Sequence, residues 1–93
     1  MKAELLMRER RVLEVGFIEA IVWGLPEPLS GSTHSFKYRL AYVVEGECVL
    51  RYDNESGKGD HRHMGGKVTT YVFVSVDQLL DDFMADVARW KGE

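Results

Sequence analysis

The alternation of apolar and polar side chains on both sides of Glu45-Gly46 constrains the fold of this chain most strongly. A period of two is typical of a strand that buries one face, and a short turn with glycine joins neighbouring antiparallel strands. The pattern therefore predicts a β-hairpin with one parity in the core, in which Cys48 is a small buried hydrophobe. The residues of that parity are Tyr38, Leu40, Tyr42 and Val44 before the turn, and Cys48, Leu50 and Tyr52 after it.

The other parity of the same hairpin is polar. Lys37 and Arg39 on the first arm, and Arg51 and Asp53 on the second, should stand together on the face that points away from the core. Two interpretations stay open: a solvated sheet face, or a partly cationic surface that binds an anion.

Further strands are predicted on both sides of the hairpin. Lys2 to Arg11 is interpreted as a strand because apolar and charged residues alternate, although nearly every residue there also favours a helix. Val12 to Gly24 is predicted as one long strand with a bulge at Gly16, and Val68 to Val74 as another strand. Two prolines make Leu25 to Ser35 the one long loop.

The C-terminal segment is predicted to be an amphipathic helix over Asp77 to Lys91. Ser75 and Gln78 have the spacing of a capping box, and apolar residues then recur at helical intervals. The predicted fold class is α+β: an antiparallel sheet of about five strands packed by one C-terminal amphipathic helix.

Length and composition limit the class of protein. Ninety-three residues predict a single domain over 1–93, and 45% hydrophobic residues suffice for one compact core. The single Cys48 allows no internal disulfide, which indicates a reducing compartment. Charges begin too early for a signal peptide and no apolar run could span a membrane, so a cytoplasmic protein is expected. The net charge of −3 argues against a broadly basic surface but allows a local cationic site.

The segment from Arg51 to His63 concentrates the groups that could do chemistry. It contains two of the three histidines, three acidic groups and several cations around two glycines, and it lacks any aliphatic side chain. Such groups are costly to bury unpaired, so the segment is predicted to be a charged surface loop.

The spacing of His61 and His63 suggests acid and base catalysis on RNA. In an extended segment both imidazoles point to one side, and imidazole can give and take a proton near neutral pH. Cleavage by attack of the 2′-hydroxyl needs a base, an acid and cations that stabilise the charged phosphorus centre, with no metal or other cofactor. The candidate catalytic residues are His61, His63, Lys58 and Asp60, and the candidate substrate-binding residues are Arg62, Arg51, Tyr52, Asp53, Lys37 and Arg39.

Three other interpretations use the same residues. His61 and His63 with Asp60 or Asp53 could bind a divalent ion in a metal-dependent nuclease, although nearby cations would compete with the metal. The charges could simply pair and order a surface turn. The segment and the cationic sheet face could also bind a nucleic acid or a protein without catalysis. His34 is interpreted as an exposed loop histidine rather than a third active-site group.

The chain resembles a known family at these residues. Three segments are similar to the TumE-like family of small bacterial and archaeal proteins: Arg51-Tyr52-Asp53-Asn54, the run from Gly57 to His63, and Gly65-Gly66. Proteins of this family are often encoded beside a DNA-binding antitoxin. The resemblance extends over nearly the whole chain, from the early strands to Leu80-Asp81-Asp82-Phe83. It implies a toxin that acts on RNA or translation and is neutralised by an antitoxin protein.

The leading hypothesis from the sequence is a toxin-like, metal-independent endoribonuclease with RNA as substrate. A non-catalytic binding module is the alternative from another class. A free edge strand in so small a sheet would also allow a homodimer.

Overall fold

The computed structural model describes residues 2–90 and consists of one antiparallel sheet with a helix on one face. The strands lie side by side in chain order. The predicted α+β class is confirmed, with six strands instead of about five. The elements are β1 (Glu4–Val12), β2 (Phe17–Gly24), β3 (Phe36–Val44), β4 (Glu47–Glu55), β5 (Gly59–Met64), β6 (Lys67–Thr70) and α1 (Val76–Trp90).

The core lies between α1 and the face of the sheet that it covers. Leu79, Phe83 and Val87 follow one another at four-residue intervals, so they form one stripe of the helix, and all three are buried. The Phe83 ring meets Tyr52 edge-on at a centroid distance of 5.6 Å. The sheet contributes Ile18, Ala20, Val22, Tyr38, Leu40, Tyr42, Leu50 and Tyr52 to the same cluster.

The predicted long strand from Val12 to Gly24 is wrong, because the chain turns between β1 and β2. The Leu13 N–H donates to the Gly16 carbonyl at 2.9 Å, and Gly16 has a φ of 75°. A Cβ at Gly16 would collide with the backbone oxygen of Val43, so glycine is required for close approach as well as for the turn. Gly16 therefore marks a turn and not a bulge.

The hairpin of β3 and β4 is confirmed, but the burial of Cys48 is not. Tyr42 pairs with Leu50, whereas the next residue, Val43, pairs with Cys48. The extra residue, Val49, forms a bulge, which reverses the faces of the residues before it. Cys48 is consequently exposed.

The interpretation of Arg51 to His63 as a loop is wrong. β4 continues to Glu55, a tight turn follows, and β5 begins at Gly59, where it pairs with Glu55. The polar composition did not prevent strand formation because the alternation of faces continues: Tyr52 and Asn54 are buried, while Arg51 and Asp53 are only half-buried.

The last strand is shorter than predicted. β6 ends at Thr70, after which the Tyr71 N–H still donates to the Asp60 carbonyl at 3.1 Å. Tyr71 and Phe73 pack against the core, while Val72 and Val74 are exposed. The helix then begins at Val76.

The start of α1 has the predicted N-cap. Ser75 Oγ accepts the Gln78 N–H at 3.0 Å. The Gln78 side chain donates to Asp82 Oδ1. Lys91, the predicted last residue of the helix, lies outside the described residues. No helix within residues 2–90 is both long and apolar enough to cross a membrane.

Candidate active site

The hairpin of β4 and β5 distributes the charged segment over the two faces of the sheet. Asp53 pairs with His61, and Arg51 with His63. Because directly opposed residues of antiparallel strands project to the same face, these four side chains form one group on the face away from α1. We call this face the outer face, and the face under α1 the covered face.

The outer group is held together by short polar contacts. Arg51 Nε lies 3.1 Å from Asp53 Oδ2, and Arg51 Nη2 lies 3.2 Å from His63 Nε2. The same His63 nitrogen is 3.4 Å from Asp53 Oδ1. The side chains of Arg51 and His63 are about one-third exposed. The two side chains are therefore held by their neighbours and are partly open to solvent, although Arg51 Nε itself is buried and has no hydrogen-bond partner among the described residues.

Two further cations flank this group on β3. Arg39 pairs with Asp53 across the strands and is exposed. Lys37 Nζ donates to the Asn54 carbonyl at 2.7 Å. Lys37, Arg39, Arg51 and Asp53 thus share one face, in agreement with the alternation in the sequence.

Tyr52 and Arg62 lie on the covered face, so the structure does not bring them to His61 and His63. The Tyr52 side chain is only 2% exposed, and its hydroxyl donates to Asp86 of α1. Arg62 Nε donates to the same carboxylate at 2.7 Å, and Arg89 also contacts it. These groups form a polar network that ties β4 and β5 to the helix.

The network changes the proton affinity of its members. Burial, and then the hydrogen bond to Asp86, raise the pKa of Tyr52 above its ordinary value. Burial by itself would raise the pKa of Asp86, but hydrogen bonds from Tyr52 and Arg89 and the charge of Arg62 outweigh it, so the pKa is lowered. Asp86 is thus held as a buried carboxylate.

Asp60 also points to the covered face, where it joins His34. Asp60 Oδ2 accepts hydrogen bonds from His34 Nε2 at 2.8 Å and from the Tyr38 hydroxyl at 2.6 Å. The Phe36 N–H donates to His34 Nδ1 at 3.2 Å, which assigns the ring proton of neutral His34 to Nε2. Burial, followed by the hydrogen bond to Asp60, raises the pKa of Tyr38.

The interpretation of His34 as an exposed loop histidine is therefore wrong. Its side chain is 9% exposed, and its ring stacks on Phe73 at a centroid distance of 3.9 Å. Both ring nitrogens have partners within the protein. This contact could not be predicted from a local sequence pattern, because His34 and Asp60 lie 26 positions apart.

Lys58 lies in the turn between β4 and β5. Its side chain is 69% exposed, and Nζ is 4.0 Å from Glu55 Oε2. A pair this open contributes little to stability. Lys58 is separated from His61 and His63 by the first residues of β5.

The alternative of a metal site loses one of its expected ligands. Asp60 is on the covered face, whereas His61 and His63 are on the outer face. Among residues 2–90, no group of three histidine, cysteine or carboxylate side chains converges as a metal site would require.

β1 and β2 form a part of the outer face that was not predicted from the sequence. Arg8 pairs with Ile21, which pairs with Arg39, and Arg10 pairs with Glu19. Both parities of β2 are rich in apolar residues, so its pattern alone does not tell which face is open. Only the register shows that Ile21 and Trp23 lie on the outer face.

The comparison with protein families matches residues 3–91 to the family described as Toxin TumE. The chain belongs to the TumE toxin family. This confirms the resemblance seen in the sequence, and the match covers nearly the whole chain, including every strand of the sheet and the helix. The chain has no match among the curated proteins and none among the solved structures.

Membership of the TumE toxin family indicates a toxin role. The segment from Lys58 to His63, which resembles the family, has side chains on both faces of the sheet. His61 and His63 lie on the outer face, and Asp60 and Arg62 lie on the covered face.

Proposed function

We propose that this toxin acts as a metal-independent endoribonuclease whose reactive groups are His61 and His63. The observation that carries the proposal is their position on the open side of β5, beside the Arg51–Asp53 pair. Residues two apart on a strand are about 7 Å apart, so two imidazoles can flank one phosphodiester.

The reaction uses the 2′-hydroxyl of the RNA as its nucleophile. One imidazole accepts the 2′-hydroxyl proton while the 2′-oxygen forms a bond to phosphorus. The bond from phosphorus to the 5′-oxygen breaks, and the other imidazole, which starts protonated, donates its proton to that oxygen. The products are a 2′,3′-cyclic phosphate and a 5′-hydroxyl, so atoms and charge balance without a co-reactant.

Cations on the outer face support this step. Arg51 presents a guanidinium beside His63, with one nitrogen 3.2 Å from the ring. Two parallel N–H groups of a guanidinium match two phosphate oxygens and stabilise the charge that develops on them. The Asp53 carboxylate lies 3.1 Å from Arg51 Nε, and the Arg51 side chain remains about one-third exposed, so an anion can reach it from solvent.

Asp60, Arg62 and Tyr52 support the proposed site from the covered face of the sheet. Their contacts with His34, Asp86 and the helix fix β5 on the sheet, and with it the backbone of His61 and His63. We therefore propose them as positioning residues. A cognate antitoxin completes the proposal, because a toxin of this kind must be neutralised in the cell that makes it.

Single variants and modified substrates test the chemistry. We expect His61→Ala and His63→Ala each to slow cleavage by about 10²-fold to 10⁴-fold, the usual contribution of a general acid or base. A substrate with sulfur in place of the leaving 5′-oxygen needs no proton on departure, so it should rescue the variant that lacks the acid. The products should carry a cyclic phosphate.

His34→Ala is the matched control, since it removes the third histidine from the opposite face. At a temperature where it is folded, it should slow cleavage much less than His61→Ala or His63→Ala, because it weakens the support of β5 through Asp60 but removes no reacting group. Cleavage of a substrate that lacks the 2′-hydroxyl would contradict the mechanism. Toxicity and RNA binding that survive in both single variants, with no cleavage by any form, would favour the non-catalytic binding module.

A further inference from the structure

The outer face does not end at the histidines but continues across the sheet to β1. Two rows of paired residues run perpendicular to the strands. One row is Arg8, Ile21, Arg39, Asp53 and His61; the other is Arg10, Glu19, Ala41, Arg51 and His63. We propose that these rows form a binding track for a single unpaired RNA strand. This inference rests on the proposed function, because it supplies that site with its substrate.

The charge of the track is opposite to that of the chain. The track with neighbouring Lys37 carries five cationic residues and two acidic ones, in a chain with a net charge of −3. Asp53 is already paired with Arg51. Among the residues that the structure describes, Arg8 and Arg39 form no ion pair and both are exposed. A polyanion is the ligand that complements this surface.

Apolar side chains between the cations favour a strand with unpaired bases. Ile21 lies between Arg8 and Arg39, and Trp23 lies next to Lys37, all on the outer face. The Arg10 guanidinium sits over the Phe17 ring, 4.3 Å from its centroid. Ile21, Trp23 and Phe17 are half-buried, so part of each side chain is open to a ligand. Aromatic rings and guanidinium planes on an open sheet can stack on bases, which a duplex keeps inside its own stack.

The length of the track makes the inference measurable. Four strand spacings separate β1 from β5, which corresponds to about 19 Å. A dinucleotide bound at His61 and His63 therefore does not reach Arg8 or Arg10. A longer strand does, so only longer ligands should depend on the two arginines.

The experiment compares binding of a non-cleavable oligonucleotide, RNA of about ten nucleotides with 2′-deoxy substitutions, to the unaltered protein and to Arg8→Ala, Arg10→Ala. We expect the double variant to bind about tenfold more weakly and the slope of log affinity against log salt to decrease by about 0.7 for each lost phosphate contact. Dinucleotide cleavage should be unchanged, and a duplex of equal length should bind more weakly than the single strand.

Arg11→Ala is the matched control. Arg11 is the next residue of the same strand and has the same charge, but it pairs with Ile18 on the covered face and contacts Glu9 at 3.2 Å. An equal loss of affinity in this variant would show general charge attraction and overturn the track. So would tight binding of the duplex, or unchanged RNA binding by a double variant that no longer binds the antitoxin.

The two proposals fail in different ways. If no form of the protein cleaves RNA but Arg8→Ala, Arg10→Ala weakens single-strand binding, the track stands and the catalytic proposal falls. If dinucleotides are cleaved but the double variant binds the long strand like the unaltered protein, the catalytic proposal stands and the track falls.

Discussion

The two faces of the sheet use similar residue types for different purposes. His34, Asp60, Arg62 and Asp86 lie on the side of the sheet that α1 covers, and each of these polar side chains has partners within the protein. The outer face contains His61, His63, Arg39 and Arg51, which are half-buried or exposed and have few partners. Titratable groups therefore become structural where they lie under the helix and remain available for a ligand where they do not.

The largest effect on stability is expected from a change in the apolar centre of the covered face. Phe83 is 1% exposed and packs edge-on against Tyr52. We expect Phe83→Ala to lower the free energy of unfolding by about 3–5 kcal/mol, since it removes buried area and leaves a cavity. Denaturant unfolding measures this.

Val72→Ala is the control for that loss, because Val72 is 77% exposed. It should change the free energy of unfolding by less than about 0.5 kcal/mol. Equal losses for the two variants would show that α1 is not the element that covers the sheet.

Asp86 tests the polar part of the covered face. Asp86→Asn should lower the free energy of unfolding by about 3 kcal/mol, because Arg62 and Arg89 lose a buried charged partner. The loss is not larger because both arginines remain partly exposed to water. The exposed Asp81→Asn on the same helix should cost much less. Both values come from denaturant unfolding near neutral pH.

The same variant should change the response to acid. The folded-state pKa of Asp86 is lowered, so its stabilisation is complete above the ordinary pKa of Asp, about 3.9, and is lost as the pH falls through the folded value. Unfolding of the unaltered protein should therefore become easier below about pH 4. Asp86→Asn should lose less stability over that range. If its stability falls with acid as steeply as that of the unaltered protein, Asp86 is not the group whose protonation destabilises the fold.

Asn54, at the end of the β3–β4 pairing, tests whether another buried polar side chain is structural. Its side chain is 1% exposed, accepts the Tyr38 N–H at 2.9 Å and donates to the Phe36 carbonyl at 2.7 Å. Asn54→Ala should cost about 2 kcal/mol because both backbone groups lose their partner. Asn54→Asp, which keeps the acceptor, should keep a larger share of the amide protection of Tyr38 in hydrogen exchange.

The smallest expected effect on stability is on the outer face. Arg39 is exposed and forms no ion pair within the described residues, so Arg39→Ala should change the free energy of unfolding by less than about 0.5 kcal/mol. The same variant should weaken RNA binding. A large loss of stability with unchanged binding would mean that the outer face is structural as well.

The sequence predicted the elements better than their ends. The hairpin around Glu45-Gly46 and the N-cap at Ser75 could be read locally, because turn chemistry and helical spacing act over a few residues. The bulge at Val49 could not, since it depends on how two strands pair, and it exposed Cys48.

The candidate site was predicted in part for a related reason. Alternation was sufficient to put His61 and His63 on one side, whereas the other face of β5 carries Asp60 and Arg62. The partners of those two residues, His34 and Asp86, come from distant parts of the chain, and a local pattern contains no record of them. The cationic rows on β1 and β2 required the register of the whole sheet.

Incubation of RNA with the purified protein in EDTA, beside the His61→Ala, His63→Ala double variant, tests the central claim most directly. Unfolding and RNA binding are measured on the same samples. The account predicts that the protein cleaves RNA in EDTA and that the double variant is folded and binds RNA but does not cleave it. Cleavage that requires an added divalent ion, or cleavage that the double variant retains, would contradict it.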